Sequence, residues 1–518
     1  MNPMTTTRRQ FLRRATHGLG FLAAAAALPR WVGNAHAATL NGYSGSRVAV
    51  CVFLLGGNDS NNILIPRETN AYAQYLAARP TIGLKADQLD LINPTGMAAG
   101  SFALPKTLSK LRAHFEAGRA AFVCNVGPLV LPLTKADYLA GGTAVPENLF
   151  SHSDQQDAWA SALANPGSST VTADIKVTGW GGRAADKLHV LNTSTPPDYP
   201  EVTSFGGKPR FCAGVERKPM VVAPDGTLAF RTVATPPSDF DLLQQAALAD
   251  VMTVQDGNVL ETAYAGVFTT AQTFASARAA ARDAAWAQLP QATRDAIDGY
   301  FVPTLPPEDT AKWTLHTQLY QVVRDLVAGA MPVSNAGLGL KRQVFSVGFG
   351  SFDTHHDEDV DQPKLLEQLD FALDAFQKAV TLLETQTAFG SNAPQATLFT
   401  MSDFNRTLLE NGDSGTDHAW GGHAIVLGNR VAGKALYGTF PSLDLSGSLD
   451  GSTDERGRWI PTLTVEQYGW TLASWLGLNT AVERDYVFPN LAGYVADAVA
   501  RSFPAQARKY KVGFMLAD

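Results

Sequence analysis

The sequence predicts an α/β protein in which a mostly parallel β-sheet lies between layers of helices. Short runs of β-branched and aromatic residues, of the length of buried strands, alternate along the chain with longer segments of helical spacing. A stretch of different composition interrupts this alternation, which then resumes. Strands that alternate with helices favour a parallel sheet covered on both faces, here with an insertion between its two halves.

The first half of this sheet is predicted within residues 38–187. Arg47–Leu55 (RVAVCVFLL) is a continuous apolar run, as expected for a strand that is buried on both faces. Apolar side chains at helical spacing follow within residues 108–115. Ala120–Val126 (AAFVCNV) then predicts the next strand.

Residues 188–341 predict an insertion or cap that is partly helical. Their first part is rich in proline, glycine and serine, and Asp239–Leu289 is rich in alanine with a helical pattern. The second half of the sheet is predicted within residues 342–518. Its predicted strands are Gln343–Gly348, Ala396–Met401 and Ala424–Leu427, and its predicted helices cover residues 366–383 and Val465–Leu476.

Residues 1–37 have the pattern of a twin-arginine export signal. Thr7–Arg13 (TRRQFLR) contains the arginine pair, the uncharged run Gly18–Leu28 follows, and Ala35–Ala37 (AHA) forms a small-residue cleavage site. The uncharged run is shorter than the roughly 20 apolar residues that a membrane-spanning helix needs. We therefore expect the twin-arginine translocon as a partner during export, a mature chain that begins near Ala38, and a periplasmic or secreted protein.

Composition excludes several functional classes. The chain has 41 Lys and Arg against 48 Asp and Glu, a net charge of −7, and no basic stripe that would indicate nucleic-acid binding. Cys51, Cys124 and Cys212 give neither a disulfide framework nor a cysteine-based metal spacing. After the signal no apolar run reaches membrane-spanning length, so we expect no membrane span in the mature protein.

Acidic and histidine residues fall where the predicted strands end or begin. In open parallel sheets, ligands bind outside the carboxyl ends of the strands, so these side chains are expected at one edge. Imidazole with carboxylate suits zinc, iron or manganese, whereas carboxylate alone suits calcium or magnesium. The sequence therefore predicts a divalent metal (zinc, manganese or calcium) as cofactor. The candidate ligands are Asp59, Asp353, His355, His356, Asp403, Asp417, His418 and His423.

An alternative stays open for the acids, because an aspartate after a strand also commonly caps a helix or forms a turn. It applies most to Asp59 and Asp403, which have no histidine beside them. The motifs FDTHH and GTDHAWGGH contain four of the ten histidines of the chain, which favours a metal site there.

Three further residues are candidates for catalysis. Ser151 and His152 lie in NLFSHSDQQDAW at the start of a predicted helix, where free N–H groups and the helix dipole suit an anionic substrate. A serine near a divalent cation can attack phosphorus or sulfur, unless it serves only as a helix cap. Arg183 in GWGGR, with His152, is a candidate to steady the oxygens of a substrate, unless it is an ordinary surface arginine.

The ordered motifs resemble the uncharacterised bacterial family called domain of unknown function 1501, and through it the alkaline phosphatase and sulfatase superfamily. This resemblance implies an alkaline phosphatase-like fold with metals at the carboxyl edge of the sheet. The motifs are LLGGNDSNN, NLFSHSDQQDAW, TGWGGR, FDTHH, SDFNRT, GTDHAWGGH and VFPNLAGY, after the twin-arginine start.

The resemblance also implies roles for single residues. Ser151 matches the nucleophile at a helix start, and Asp59, Asp353 with His355 or His356, Asp403 and His418 match metal ligands. One position departs from the pattern, because Phe404 stands where the phosphatases have a histidine ligand. One metal, or a second metal completed by His423, is therefore expected instead of a full two-zinc centre.

The function expected from these residues is metal-dependent hydrolysis of a small anionic ester, a phosphate or a sulfate. Two alternatives remain open at this stage. The first is a non-catalytic protein that binds a metal or ligand on the same fold, and the departure at Phe404 favours it. The second is an accessory factor for another exported enzyme.

Overall fold

A computed structural model of the chain describes residues 43–165, 171–206, 209–226, 238–253, 259–305, 310 and 313–517. The predicted export signal, residues 1–37, lies outside the described residues. Residues 38–227 and 281–518 form one compact unit, and residues 228–280 belong to a second unit. The second unit contains helix and carries none of the candidate site residues.

The larger unit is built on two β-sheets. A sheet of nine strands has the order β11-β5-β10-β9-β1-β8-β6-β7, with β12 paired to β5, and a small sheet has the order β2-β4-β3. The strands are β1 Ser46–Leu54, β2 Ile65–Pro66, β3 Leu89–Ile92, β4 Phe102–Pro105, β5 Ala120–Gly127, β6 Val202–Ser204, β7 Met220–Val221, β8 Arg342–Phe349, β9 Pro394–Ser402, β10 Gly422–Gly428, β11 Ala435–Gly438 and β12 Leu463–Thr464.

Helices connect most of these strands. They are α1 Thr69–Ala78, α2 Ser109–Glu116, α3 Lys135–Ala140, α4 His152–Ser161, α5 Ala173–Lys176, α6 Trp180–Leu188, α7 Asp239–Thr253, α8 Val259–Ala287, α9 Gln291–Tyr300, α10 Leu315–Ala330, α11 Glu358–Leu383, α12 Val465–Leu476, α13 Ala481–Val487 and α14 Leu491–Ala500. None of the described helices is both long and apolar enough to cross a membrane.

The large sheet is mostly parallel, as predicted. Strand β1 pairs in parallel with β8 and β9, and all nine of its residues are buried. Ala49 and Phe53 share one apolar cluster with Trp180 of α6 and Tyr468 of α12. The alternate residues, such as Val50, are also buried, while α10 and α11 contact β8 and β9. Helices therefore cover the sheet on both faces, and each buried apolar side chain contributes about 1.5–3 kcal/mol.

Strand β10 is the one strand of the large described sheet that runs antiparallel to its neighbours, β5 and β9. Residues 403–421, between β9 and β10, contain no helix. A parallel neighbour would require a crossover to the opposite edge, so the chain instead turns back at the edge where β9 ends. The start of β10 therefore lies beside the carboxyl ends of the parallel strands.

The separate unit is narrower than the insertion predicted at residues 188–341. Strands β6 and β7 lie within that predicted range, yet β6 pairs with β8 and extends the large sheet. Helix α10 also belongs to the larger unit. Strands of two or three residues are too short to produce a periodic pattern, so they could not be predicted.

Candidate functional site

Four segments of the larger unit meet at the carboxyl edge of the sheet. They are the loop after β1, the loop after β8, the segment between β9 and β10, and the start of α4. Gly56 allows two of them to touch, because its φ is +111° and an added Cβ would lie 2.6 Å from the backbone nitrogen of Asp353. Gly415 similarly lies against the backbone of His355, where no Cβ would fit.

His152 enters the site from the first residue of α4. Its Nδ1 lies 2.7 Å from Oδ2 of Asp403, and because a carboxylate accepts, this nitrogen carries the proton. The lone pair of Nε2 is therefore free, and Nε2 lies 3.5 Å from Oδ1 of Asp353. Asp403 also accepts from the backbone nitrogen of Gly56 and from Gln156, so it fixes the His152 ring.

His418 presents a second free nitrogen. Its Nδ1–H donates to the carbonyl oxygen of Phe150 at 2.8 Å, which leaves a lone pair on Nε2. That Nε2 lies 3.5 Å from Oδ1 of Asp353. Burial, with the nearby charge of Arg406, lowers the pKa of His418 below its usual value, so its ring is neutral at pH 7.

His355 completes the group. Its Nδ1 lies 3.3 Å from Oδ1 of Asp417, a carboxylate whose pKa is lowered because Arg456 outweighs the effect of burial. Asp417 is therefore ionised, so it can accept a hydrogen bond from Nδ1 of His355. The Nε2 of His355 lies 2.9 Å from Nε2 of His418 and 3.2 Å from Oδ1 of Asp353.

The result is a compact cluster around one carboxylate oxygen. The Nε2 atoms of His152, His355 and His418 and the guanidinium of Arg406 surround Oδ1 of Asp353. Ligand atoms of His152, Asp353 and His418 all lie within 4.8 Å of one another. A tetrahedral zinc site with bonds near 2.05 Å has edges of about 3.3 Å, close to the separations around Asp353. Oxygen partners on the outer nitrogens are also typical of metal-bound histidines.

Arg406 supports this cluster from its buried side. Its guanidinium is fully buried and donates to the carbonyl oxygens of Gly57, Thr416 and Phe352. It also binds Oδ1 of Asp353. Burial alone would raise the pKa of Asp353, but Arg406 lowers it below its usual value. Asp353 is therefore ionised while its side chain remains 48% exposed.

Two of the predicted ligands support the cluster without touching its centre. Asp403 and Asp417 bind the outer nitrogens of His152 and His355, as described above. Phe404 packs its ring on His152 and His418, at centroid distances of 4.8 and 4.4 Å. It is buried, so it fills the space beside the two rings.

The structure does not bring Asp59 or His356 to the cluster. Asp59 is fully buried, forms an ion pair with Arg79 and caps the short helix that begins at Ser60. His356 points to solvent, with its side chain 73% exposed, and pairs with Asp357. The interpretation of Asp59 as a structural aspartate was the alternative left open by the sequence.

His423 is also excluded as a ligand, because its Nδ1 lone pair accepts a backbone hydrogen bond and its Nε2 carries the ring proton. The backbone N–H of Asn125 donates to Nδ1 of His423, so Nε2 carries the ring proton. Burial lowers the pKa of His423 to about 4, which keeps the ring neutral. Its Nε2 lines a cavity of about 20 Å³, room for one water molecule, together with Asn58 and Ser60.

Two of the three candidate catalytic residues differ from prediction. Arg183 is fully buried and donates to the carbonyl oxygens of Ser161 and Val487, so it cannot steady a substrate at the edge. Ser151 is the N-cap of α4, and its hydroxyl donates to Asp154 at 2.5 Å. Only His152 joins the cluster, where it contacts Asp403 and Asp353.

The chain matches a known protein family. The model of the family described as "Protein of unknown function (DUF1501)" matches residues 46–447. The chain belongs to the DUF1501 family. The match begins at the first residue of β1 and covers every residue of the cluster, but it ends before the motif VFPNLAGY. Neither a curated protein nor a solved structure matches the chain significantly.

The sequence did not predict three residues that support the site, namely Arg406, Gln156 and Glu358. Arg406 lies in the quoted motif SDFNRT, but nothing in that motif distinguishes a buried arginine from an exposed one. Gln156 and Glu358 likewise lie within or beside quoted motifs. Their roles depend on contacts with segments more than 50 residues away.

Proposed function

We propose that this DUF1501 protein is an exported metal-dependent hydrolase that acts on a phosphate or sulfate ester. The observation that carries the proposal is the convergence of three imidazole nitrogens on one oxygen of Asp353. Among zinc, manganese and calcium, zinc fits best, because nitrogen donors outnumber oxygen donors and calcium prefers oxygen. An alkaline phosphatase-like fold, which the mostly parallel sheet is compatible with, is part of this proposal.

The side chains divide the work of hydrolysis. Zinc, when bound, lowers the pKa of a coordinated water towards about 7 and attracts an ester oxygen. His152, His418 and Asp353 would hold the ion, and the partly exposed His355 beside them could act as a further ligand. Water attacks phosphorus or sulfur, the ester bond breaks, and the leaving alcohol takes the proton.

The nucleophile is the point at which two routes differ. Ser151 would have to release Asp154 before it could attack, whereas water needs no such change. If Ser151 attacks, Ser151→Ala abolishes hydrolysis while Ser153→Ala does not. If water attacks, both variants keep most of the activity, because the Ser151 hydroxyl contacts only the side chains of Ser153 and Asp154 and caps no backbone N–H.

The test of the proposal is metal analysis combined with activity. Purified mature protein should contain about one equivalent of zinc and should hydrolyse an aryl phosphate or an aryl sulfate. His418→Ala should lose both properties, whereas His356→Ala, a matched control on the surface, should keep both. A parent protein that binds no divalent metal would overturn the metal site.

A non-catalytic binding protein is the second candidate function. Two observations favour it, namely the Ser151 hydroxyl engaged with Asp154 and the Phe404 ring beside His152 and His418. This candidate predicts a bound metal without turnover of either class of ester. Stoichiometric zinc with no hydrolysis under any divalent metal would decide for it.

Export is proposed from the N-terminal pattern alone. Replacement of Arg8 and Arg9 by lysine should leave the protein uncleaved in the cytoplasm, because the twin-arginine pathway reads that pair. Cell fractionation and the mass of the N-terminal peptide measure this outcome. Normal export of the double variant would contradict a twin-arginine route.

A further inference from the structure

Glu358, the first residue of α11, lies where the two ligand-bearing loops touch. These are the β8 loop, residues 353–357, and the β10 loop, residues 415–418. Oε2 of Glu358 accepts hydrogen bonds from the hydroxyl of Thr354 at 3.0 Å and from the hydroxyl of Thr416 at 2.5 Å. Each threonine is next to a residue of the cluster, so one oxygen atom connects both loops.

The other oxygen of Glu358 faces an acid. No N–H or hydroxyl group of the described residues reaches Oε1, but Glu358 and Asp59 share a hydrogen bond. Two carboxyl groups can share a hydrogen bond only if one of them carries the proton. Burial and the charge of Asp59 raise the pKa of Glu358 well above its usual value, so the proton resides on Glu358.

Asp59 in turn fixes Glu358 to the rest of the fold. Arg79 forms an ion pair with Asp59 and donates to the carbonyl oxygens of Thr407 and Leu408. The ion pair of Arg79 and Asp59 is fully buried, so it anchors Glu358 and, through it, the two loops. This chain of contacts links Arg79, Asp59 and Glu358 to both loops without any exposed member.

We propose that Glu358 is a positioning residue that sets the separation of the two loops and so the geometry of the metal site. The inference rests on the proposed function and deepens it. The loops also meet directly, where the backbone nitrogen of Thr416 donates to the carbonyl oxygen of Thr354 and where His355 contacts Asp417 and His418. Glu358 is the side chain that both threonine hydroxyls share.

The decisive pair of variants is Glu358→Gln and Glu358→Ala. Glutamine is neutral, can accept from both threonines and can donate to Asp59, so it should bind zinc with nearly the parent affinity. Alanine removes all three contacts and should weaken zinc binding about 10–100-fold, as loss of an outer-shell partner does. Thr416→Val, which removes one hydroxyl, should weaken binding in the same direction and covers the case in which the alanine variant fails to fold.

Glu201→Ala is the matched control. Glu201 is also buried, but it lies at the opposite edge of the sheet in an ion pair with Arg217 at 3.0 Å. Its replacement should lower the melting temperature without changing zinc affinity. If Glu358→Ala or Thr416→Val lowers the melting temperature and leaves zinc affinity unchanged, Glu358 is merely structural and the proposal is overturned.

A readout without metal separates this proposal from the proposed function. Amide hydrogen exchange of residues 353–357 and 415–418 should speed up together in Glu358→Ala and stay slow in Glu358→Gln. If the parent binds no zinc but this pattern appears, the metal function fails while the positioning role stands. If exchange in both loops is unchanged in Glu358→Ala, the positioning role is wrong.

Discussion

Asp59 and Asp353 follow neighbouring buried strands of one sheet, yet they lie in opposite environments. Asp59 is fully buried and its charge is matched by Arg79. Asp353 is about half exposed, and it lies among three imidazole nitrogens as well as Arg406. Each aspartate pairs with a fully buried arginine, so exposure and the neighbouring imidazoles distinguish the two. Asp59 is enclosed on all sides and supports the fold, whereas Asp353 remains half exposed beside three imidazole nitrogens, where it could bind a cation.

Asp59→Asn should have the largest effect on stability. It leaves the buried Arg79 without its counter-charge, and loss of one partner of a buried pair typically costs about 3–5 kcal/mol. Asp353→Asn should cost less, because its side chain is half exposed and Arg406 keeps its hydrogen bonds to four carbonyl oxygens. Urea unfolding of the metal-free proteins measures both, and equal losses would erase the distinction between the two aspartates.

The comparison extends to histidines through His423, which is buried like Asp59. The pKa of His423 falls to about 4 in the folded protein from about 6.5 in the unfolded chain. Its contribution is therefore complete above pH 6.5 and is lost as pH falls towards 4, where the loss is about 3 kcal/mol. The free energy of unfolding of His423→Gln, measured from pH 7 to pH 4, should therefore fall by about 3 kcal/mol less than that of the parent protein. If the parent and His423→Gln lose the same free energy of unfolding over this pH range, His423 is charged in the folded protein.

Asp353→Asn should have the largest effect on metal affinity. Zinc affinity should fall at least about 10–100-fold, because the central oxygen of the cluster loses its charge. Asp357→Asn, an exposed acid four residues further on, is the control and should bind zinc as the parent does. Competition with a chelator measures the affinities, and similar values for both variants would remove Asp353 from the site.

His355 and His356 give the smallest and sharpest comparison. The two residues are adjacent, but only His355 contacts Asp353 and His418. His355→Ala should weaken zinc binding about 10-fold, less than loss of Asp353, because Asp353 is the negatively charged group at the centre of the cluster. His356→Ala should leave the affinity unchanged, and a reversed order would show that the loop adopts another conformation.

Most of the sheet could be predicted because its central strands are long apolar runs. The predictions for β1, β5, β8, β9 and β10 are confirmed to within two residues at each end. Strands of two to four residues, such as β6, β7, β11 and β12, lie below the length at which alternation can be recognised. The reversal of β10 was not predicted, although histidine was expected to return to the edge.

The candidate site could be predicted only in part. The motifs FDTHH and GTDH placed Asp353, His355 and His418 at one edge, and the structure brings them together. Pattern alone could not separate His355 from His356, since that depends on the turn of one loop. It also could not exclude His423, because a backbone N–H from β5, nearly 300 residues away, decides which nitrogen holds the proton.

The hydrogen bond between Phe150 and His418 joins residues 268 positions apart. This contact depends on pairing between segments far apart in the sequence, because β9 and β10 must bring His418 to the carboxyl edge of the sheet. If the proposed metal binds there, it binds only molecules in which this edge is assembled, so metal capture would report the arrival of the chain at its native state.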